Sequence, residues 1–122
     1  MSHEPRETMR NHRRLTAFKL ADELALAVYA STGAFPKSEL FGLVSQMRRS
    51  AVSVPSNLAE GCARHSEAEF VHYLHIALGS ARELEYQASL AHRLGFLSDA
   101  DIESKANALC RTLSVFINKI RA

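Results

Sequence analysis

The sequence contains few residues that break helices. Three prolines and five glycines occur in 122 residues, and they separate long segments in which apolar residues recur every three or four positions. No stretch alternates apolar and polar residues over any length, which is the pattern of a half-buried β-strand. These absences predict an all-α protein.

Long apolar runs and paired cysteines are also missing. No run approaches the roughly 20 residues of a membrane span, and the N-terminal "MSHEPRETMRNHRRL" lacks the apolar centre of a secretory signal. We therefore expect a cytoplasmic protein that does not enter a membrane. Cys62 and Cys110 lie far apart, and in a reducing compartment they are expected to be free thiols that pack like small apolar residues.

Charge is unevenly placed along the chain. Four of the 15 basic residues and two of the 13 acidic residues lie in residues 1–14, which leaves eleven of each sign in the remainder. We expect residues 1–14 to form a basic, disordered N-terminal tail. Residues 15–122 are expected to form one domain with a neutral body, because this length suits a single core.

Four amphipathic segments are predicted, over about 15–32, 38–63, 66–94 and from Ser98 onward. The "SEAE" sequence is a capping box at the start of the third segment, and Ser98 is expected to cap the fourth. Gly33 and Gly95 are expected to end the first and third. The predicted core stripes are Ala17, Ala21, Leu24 and Val28; Leu40, Val44, Met47, Ala51, Val54 and Leu58; Phe70, Leu74, Ala77, Ala81, Leu84, Ala88 and Ala91; and Ile102, Ala106, Leu109, Leu113, Phe116 and Ile120.

Short turns between four long helices predict an antiparallel, up-down-up-down, left-handed four-helix bundle. Further apolar lines, such as Val71 with Leu78 and Cys110 with Ile117, indicate a thick core or a subunit interface.

The stretch "QMRRSAVSVPSNLAEG" carries Pro55 inside the second stripe. Because the stripe keeps its phase across the proline, we expect one kinked helix and not two helices with a linker. Folding the second and third segments into a hairpin is predicted to place Ala51 opposite Gly79, whose small size makes room. The same hairpin is predicted to bring Arg48 or Arg49 to Glu83 or Glu85 as an ion pair.

Two parts of the sequence together resemble a known family. The stretch "SVPSNLAEG", followed by "ALGSARELE", resembles the four-helix-bundle family encoded by reading frames in 23S ribosomal RNA intervening sequences, over about residues 15–120. We interpret the matching residues mainly as determinants of helix pairing, with a polar ligand site at Arg48, Arg49, Asn57 and Glu60 as the alternative. These signature residues are Arg48, Arg49, Pro55, Asn57, Glu60, Gly61, Gly79 and Glu83.

The resemblance implies a homopentameric ring with no established enzymatic activity, and we expect no cofactor. It also implies a distant relation to the accessory protein of diversity-generating retroelements, a basic ring thought to bind nucleic acid and a reverse transcriptase. A partner protein is therefore an alternative to nucleic acid.

Catalytic and metal motifs are weak. Glu69 and His72 form a Glu-x-x-His motif and His75 follows, but a di-iron bundle needs a second such motif and further glutamates. We therefore predict no metal ligands, and no catalytic residues, because neither a nucleophile elbow nor a phosphate loop is present.

Basic residues are predicted to gather at one end of the bundle. That end would hold the start of the first helix, the second turn and the end of the fourth helix, and so could bind RNA or DNA backbones non-specifically. The alternative is that charges at helix ends only complement the helix dipoles. The candidate nucleic-acid-binding residues are Arg10, Arg13, Arg14, Arg64, Lys119 and Arg121.

Overall fold

Four α-helices make up most of the part of the chain that the computed structural model describes, residues 10–122. They are α1 (Thr16–Thr32), α2 (Ser45–Cys62), α3 (Glu67–Arg93) and α4 (Asp101–Arg121). No strand occurs in these residues. The all-α four-helix bundle predicted from the sequence is confirmed.

Each helix packs against its neighbours in the chain, and α1 also packs against α4. Contacts between α3 and α4 pair early residues of one helix with late residues of the other. The Phe70 and Phe116 rings meet at 6.1 Å, and Glu85 accepts a hydrogen bond from Asn107. This order of contacts fits the up-down-up-down arrangement, which stays a prediction together with the left-handed twist.

The predicted stripes form most of the core. All the positions predicted for α1 and α3 are buried, and so are Cys110 and Ile117 of the additional line on α4. Phe116 and Ile120, at the end of the α4 stripe, are only partly buried. The largest fully buried side chains are Met47, Leu58, Leu74, Leu84, Leu109, Leu113, Val28 and Val54.

The chain before α2 departs from the prediction. Lys37–Glu39 form a 3-10 turn and Leu40–Val44 form a π-helical turn, in which Gly42 has the non-helical angles φ −109° and ψ −109°. This kink moves Leu40 out of the α2 stripe, so its side chain is 50% exposed instead of buried. The single helix through Pro55 is confirmed, but the non-helical backbone lies at Gly42.

The predicted helix ends are only partly correct. The Ser66 hydroxyl accepts the N–H of Glu69 at 3.1 Å and so caps α3 as expected. Gly95 follows α3 with a φ of 83°, a left-handed conformation that favours glycine. The predicted cap at Ser98 is wrong, because α4 begins at Asp101, whose N–H donates to the carboxylate of Asp99 at 3.0 Å.

Candidate nucleic-acid interface

Arg10 joins the segment before α1 to the turn between α2 and α3. Its Nη1 donates to the carbonyl oxygens of Arg64 at 2.8 Å and Ser66 at 3.5 Å. Its guanidinium also lies 4.9 Å from the centre of the Phe70 ring. Arg10 is thus held against the bundle, although it belongs to the predicted tail of residues 1–14. Residues 1–9 of that tail lie outside the described residues.

A 3-10 turn at His12–Arg14 positions two further arginines. The Asn11 side chain accepts the N–H of Arg13 at 3.1 Å, and the His12 ring meets the Phe18 ring edge-on at 4.7 Å. These contacts fix the backbone of the turn, while the side chains of Arg13 and Arg14 stay exposed.

The end of α4 contributes the other exposed cations at this end. Arg14 and Lys119 line one groove, at the place where α1 begins and α4 ends. Arg121 is exposed in the last turn of α4. Arg13, Arg14, Lys119 and Arg121 form no ion pair with an acidic side chain within residues 10–122. We call these four residues the exposed basic cluster.

Arg64 differs from the exposed basic cluster because its charge is compensated. It forms an ion pair with Glu60, one helical turn earlier, and its guanidinium lies 5.7 Å from the centre of the Tyr73 ring. Arg64 also offers its carbonyl oxygen to Arg10. Arg10 and Arg64 therefore stabilise the turn between α2 and α3, and are less available to a ligand than the exposed basic cluster.

The opposite end of the bundle carries charges of both signs. Lys105 and Asp101 form an ion pair at 3.1 Å in the first turn of α4, and Arg93 donates to the carbonyl and hydroxyl oxygens of Ser89. Asp99 is also exposed there. The two ends thus differ in the balance of charge, although Glu67 and Glu69 in the first turn of α3 add acidic groups to the basic end. Arg13 and Arg14 lie beside the start of α1 without an ion pair among the described residues.

Within the signature stretch, hydroxyl and amide groups join α2 to α3. The hydroxyls of Ser53 and Ser80 lie 2.7 Å apart, and the Asn57 amide donates to the Ser53 carbonyl at 2.8 Å and hydroxyl at 3.0 Å. Ser80 is buried. A satisfied, half-buried cluster of this kind fixes how two helices pair, which supports the structural interpretation of Asn57.

The predicted ion pair between α2 and α3 is wrong. Arg48 turns toward α1, where its Nε donates to the buried Thr32 hydroxyl at 2.9 Å and its guanidinium lies 4.5 Å from the centre of the Tyr29 ring. Arg49 and Glu83 are both exposed. Neither forms an ion pair with another described residue.

The glycine that permits close helix approach is Gly61, and the prediction for Gly79 is wrong. A Cβ on Gly61 would lie 2.8 Å from the Tyr73 Cβ, whereas a Cβ on Gly79 would have nothing within 4 Å. Gly79 therefore lies on an outward face of α3.

The sequence model of one family, described as 23S rRNA-intervening sequence protein, matches residues 13–119. The chain belongs to this family. The resemblance inferred from the signature stretch is thereby confirmed, and the match includes all of α1, α2 and α3. Arg10 and Arg121 lie outside the matched range, so family membership carries nothing to them.

A crystal structure from Bacteroides thetaiotaomicron is similar to this bundle. That protein is described as one of unknown function from the S23 ribosomal protein family, and the TM-score is 0.76 at 24% sequence identity. The alignment covers 84% of this chain and 95% of the other. This likeness shows the fold alone. No curated protein matches the sequence.

Sequence reasoning missed one surface of this family member. Phe41 is 92% exposed and borders a cavity of about 410 Å³, lined by side chains of the α1–α2 hairpin. Tyr29 and Leu40 lie beside it, and Arg48 and Arg49 supply its charge. We call these five residues the Phe41 surface. The sequence indicates this surface only through the position of Phe41, which lies outside the α2 stripe and next to Gly42.

The histidines of α3 do not assemble a metal site. Among residues 10–122, no group of three His, Cys, Asp or Glu side chains is arranged to hold an ion. Glu69, His72 and His75 are exposed, and the His72 ring meets the Tyr73 ring at 5.4 Å. Within the same residues, no helix is both long and apolar enough to cross a membrane.

Proposed function

We propose that the protein is a non-enzymatic, self-associating bundle of the cytoplasm, which binds RNA or DNA through the exposed basic cluster without reading sequence. Contacts from arginine and lysine to phosphates supply such binding and make it depend strongly on salt. Association into a ring of five, which the family resemblance implies, would repeat the cluster around one face and raise the apparent affinity.

The observation that carries the proposal is the position of Arg13 and Arg14. They directly precede α1, which has no acidic residue in its first turn and no side chain capping its N-terminus. The positive end of a helix dipole disfavours neighbouring cations. Dipole complementarity therefore accounts for Asp101, Lys119 and Arg121 but not for these arginines, and a ligand phosphate would relieve the repulsion.

The test compares two charge-matched double variants by fluorescence anisotropy with labelled RNA and DNA. Arg14→Gln with Lys119→Gln removes two cations from the basic end. Arg93→Gln with Lys105→Gln removes two from the opposite end and serves as the control. We expect the first pair to weaken binding and to make the affinity less dependent on salt, by an amount that corresponds to roughly two lost phosphate contacts. The control pair should change little. Equal effects of both pairs, or no binding at low salt, would contradict the proposal.

Self-association is tested by light scattering at several protein concentrations. The chain has a mass of 13.5 kDa, and the proposal requires a multiple of that mass. A species of 13.5 kDa at every concentration would exclude a ring.

A second candidate function, a protein adaptor, is supported by the Phe41 surface. A phenylalanine that is 92% exposed beside two arginines is suited to bind a partner helix that carries both apolar and acidic side chains. Pull-down with Phe41→Ser tests this function, with Val52→Ser as the control because Val52 is also exposed. A partner retained by the control and lost with Phe41→Ser would favour the adaptor. A change of mass on light scattering with Phe41→Ser would instead assign this surface to self-association.

A further inference from the structure

The groove between the start of α1 and the end of α4 combines an apolar floor with a basic rim. Its volume is about 430 Å³, within the range of pockets that hold small organic groups. Leu15, Val115 and Phe116 contribute the apolar surface, and Arg14 and Lys119 contribute the charge. The proposed function uses the two cations but gives no role to the apolar floor.

The apolar floor of the groove is held in place by the core and is accessible to solvent. The Phe116 ring meets the Phe70 ring edge-to-face at 6.1 Å, which fixes one side of Phe116 against the core. Val115 is 57% exposed although it is a β-branched apolar residue on α4. Thr16 and Thr112 also line the groove, and a threonine hydroxyl can donate to or accept from a polar edge of a ligand.

We propose that this groove receives one unstacked base of a single-stranded nucleic acid while Arg14 and Lys119 bind the adjacent phosphates. The inference rests on the proposed function and adds the type of strand to it. Each nucleotide joins a flat, largely apolar ring to one negative charge, and the groove offers a matching surface for each part. In a duplex the bases are stacked and paired, so a base can enter only from a single strand or a frayed end. A peptide with an apolar side chain beside a carboxylate is the other occupant that the test must separate.

The first experiment compares a labelled single strand with a duplex of the same sequence at the same salt, using Val115→Ser and the control Val52→Ser. Both variants remove an exposed apolar group from a helix without changing charge. We expect Val115→Ser to weaken single-strand binding by about fivefold, because the base loses part of its apolar contact surface, and to leave duplex binding within about twofold. Val52→Ser should change neither affinity.

The second experiment locates the base directly. A single strand carrying one 5-iodouracil is bound, irradiated and digested with trypsin, and the cross-linked peptide is identified by mass spectrometry. Cleavage after Arg111 and Lys119 releases "TLSVFINK", which contains Thr112, Val115 and Phe116. We expect this peptide to carry the cross-link, and a large excess of an unlabelled single strand to abolish it.

The outcomes separate this inference from the proposed function. Binding that falls with Arg14→Gln and Lys119→Gln, but is equal for single strand and duplex and indifferent to Val115→Ser, overturns the groove inference alone. Cross-links confined to peptides other than "TLSVFINK" and "LTAFK", the two that line the groove, overturn it in the same way. Absence of any nucleic-acid binding overturns both, and displacement of the strand by a short acidic-apolar peptide, with loss of peptide binding in Val115→Ser, would assign the groove to a protein.

Discussion

Gly61 lies so close to Tyr73 that a Cβ added to the glycine would stand 2.8 Å from the Tyr73 Cβ. The carbonyl oxygen of Phe70 would lie 3.4 Å away on the same side. The Phe70 Cδ1 would lie 3.3 Å away. The ring of Phe70 could turn aside, but the Tyr73 Cβ and the Phe70 carbonyl cannot move away without shifting α3. The close approach of α2 and α3 beside their turn therefore depends on glycine at this position.

We expect Gly61→Ala to destabilise the fold and Gly79→Ala to stabilise it. Forcing a methyl group into a filled space costs about 1–3 kcal/mol, which exceeds what alanine gains over glycine near a helix end. Gly79 lies inside α3, and a methyl group added there would have nothing within 4 Å, so alanine should add about 0.5–1 kcal/mol. Urea unfolding at one protein concentration measures both changes, and a gain for both substitutions would refute the contact at Gly61.

The hydroxyl pair of Ser53 and Ser80 should show energetic coupling. Ser80→Ala leaves the half-buried Ser53 hydroxyl with one partner fewer, and we expect a loss of about 1 kcal/mol. In a double-mutant cycle with Ser53→Ala, the double variant should lose about 0.5–1 kcal/mol less stability than the sum of the two single losses. Strictly additive losses would mean that the 2.7 Å contact contributes nothing to stability.

Arg48 and Arg49 should respond differently to the same change. Arg48→Lys removes the Nε donor of the buried Thr32 hydroxyl and the flat group over Tyr29, so we expect a loss of about 1–2 kcal/mol. Arg49 is exposed, and Arg49→Lys should have no measurable effect on thermal unfolding. For the same reason Arg49→Ala and Glu83→Ala should be additive. Losses that are not additive would show that Arg49 and Glu83 do form the ion pair expected from the sequence.

The stability of the protein should fall as pH rises from 9 to 11. Burial raises the pKa of the Cys62 thiol from 9.0 to about 11, an effect reduced by the neighbouring Arg10 cation. In this pH range the folded state therefore keeps a proton that the unfolded state has released, and ionisation favours unfolding. Cys62→Ala should make the fall shallower in urea titrations at successive pH values. An unchanged pH dependence would argue against this burial.

Cys110 provides a second, independent variant for the same measurement. Its pKa is also raised, first by burial and then by the Glu85 carboxylate. Cys110→Ala should therefore change the alkaline dependence in the same direction as Cys62→Ala.

The periodicity of the sequence was sufficient to predict the bundle because burial of one helical face depends on local spacing alone. Ala77, Ala81 and Leu84 are buried at the spacing that identified them. The same spacing failed at Leu40, where the π-helical turn and the kink at Gly42 change the direction in which side chains point. No hydrophobic pattern encodes that change, because it depends on one glycine's backbone angles.

Pairing between helices was less predictable than the helices themselves. The sequence suggested Ala51 opposite Gly79, a register that would place Ala77 opposite Ser53. In the structure Ser53 contacts Ser80, three residues or almost one helical turn further along α3. On a helix, a shift of a few residues replaces one neighbouring side chain by another. Arg48 meets α1 instead of α3 because the buried Thr32 hydroxyl and the Tyr29 ring hold it there, and this choice could not be read from spacing.

The candidate basic end was easier to predict, since charge clusters only require that helices alternate in direction. What the sequence did not reveal is which cations are already engaged. The contacts of Arg10 with the Arg64 carbonyl and of Arg64 with Glu60 arise from turn geometry, and they reduce six candidates to the four of the exposed basic cluster.

The contact between Arg10 and the carbonyl of Arg64 also has a practical consequence for biochemistry. It holds the described beginning of the chain beside the turn between α2 and α3, at the end where α4 also finishes. An affinity tag or fluorophore attached beside Arg10 or after Arg121 would therefore lie next to the surface whose binding is to be measured. Labels for such assays belong in the connection between α3 and α4, where Ser98 is exposed at the far end of the molecule.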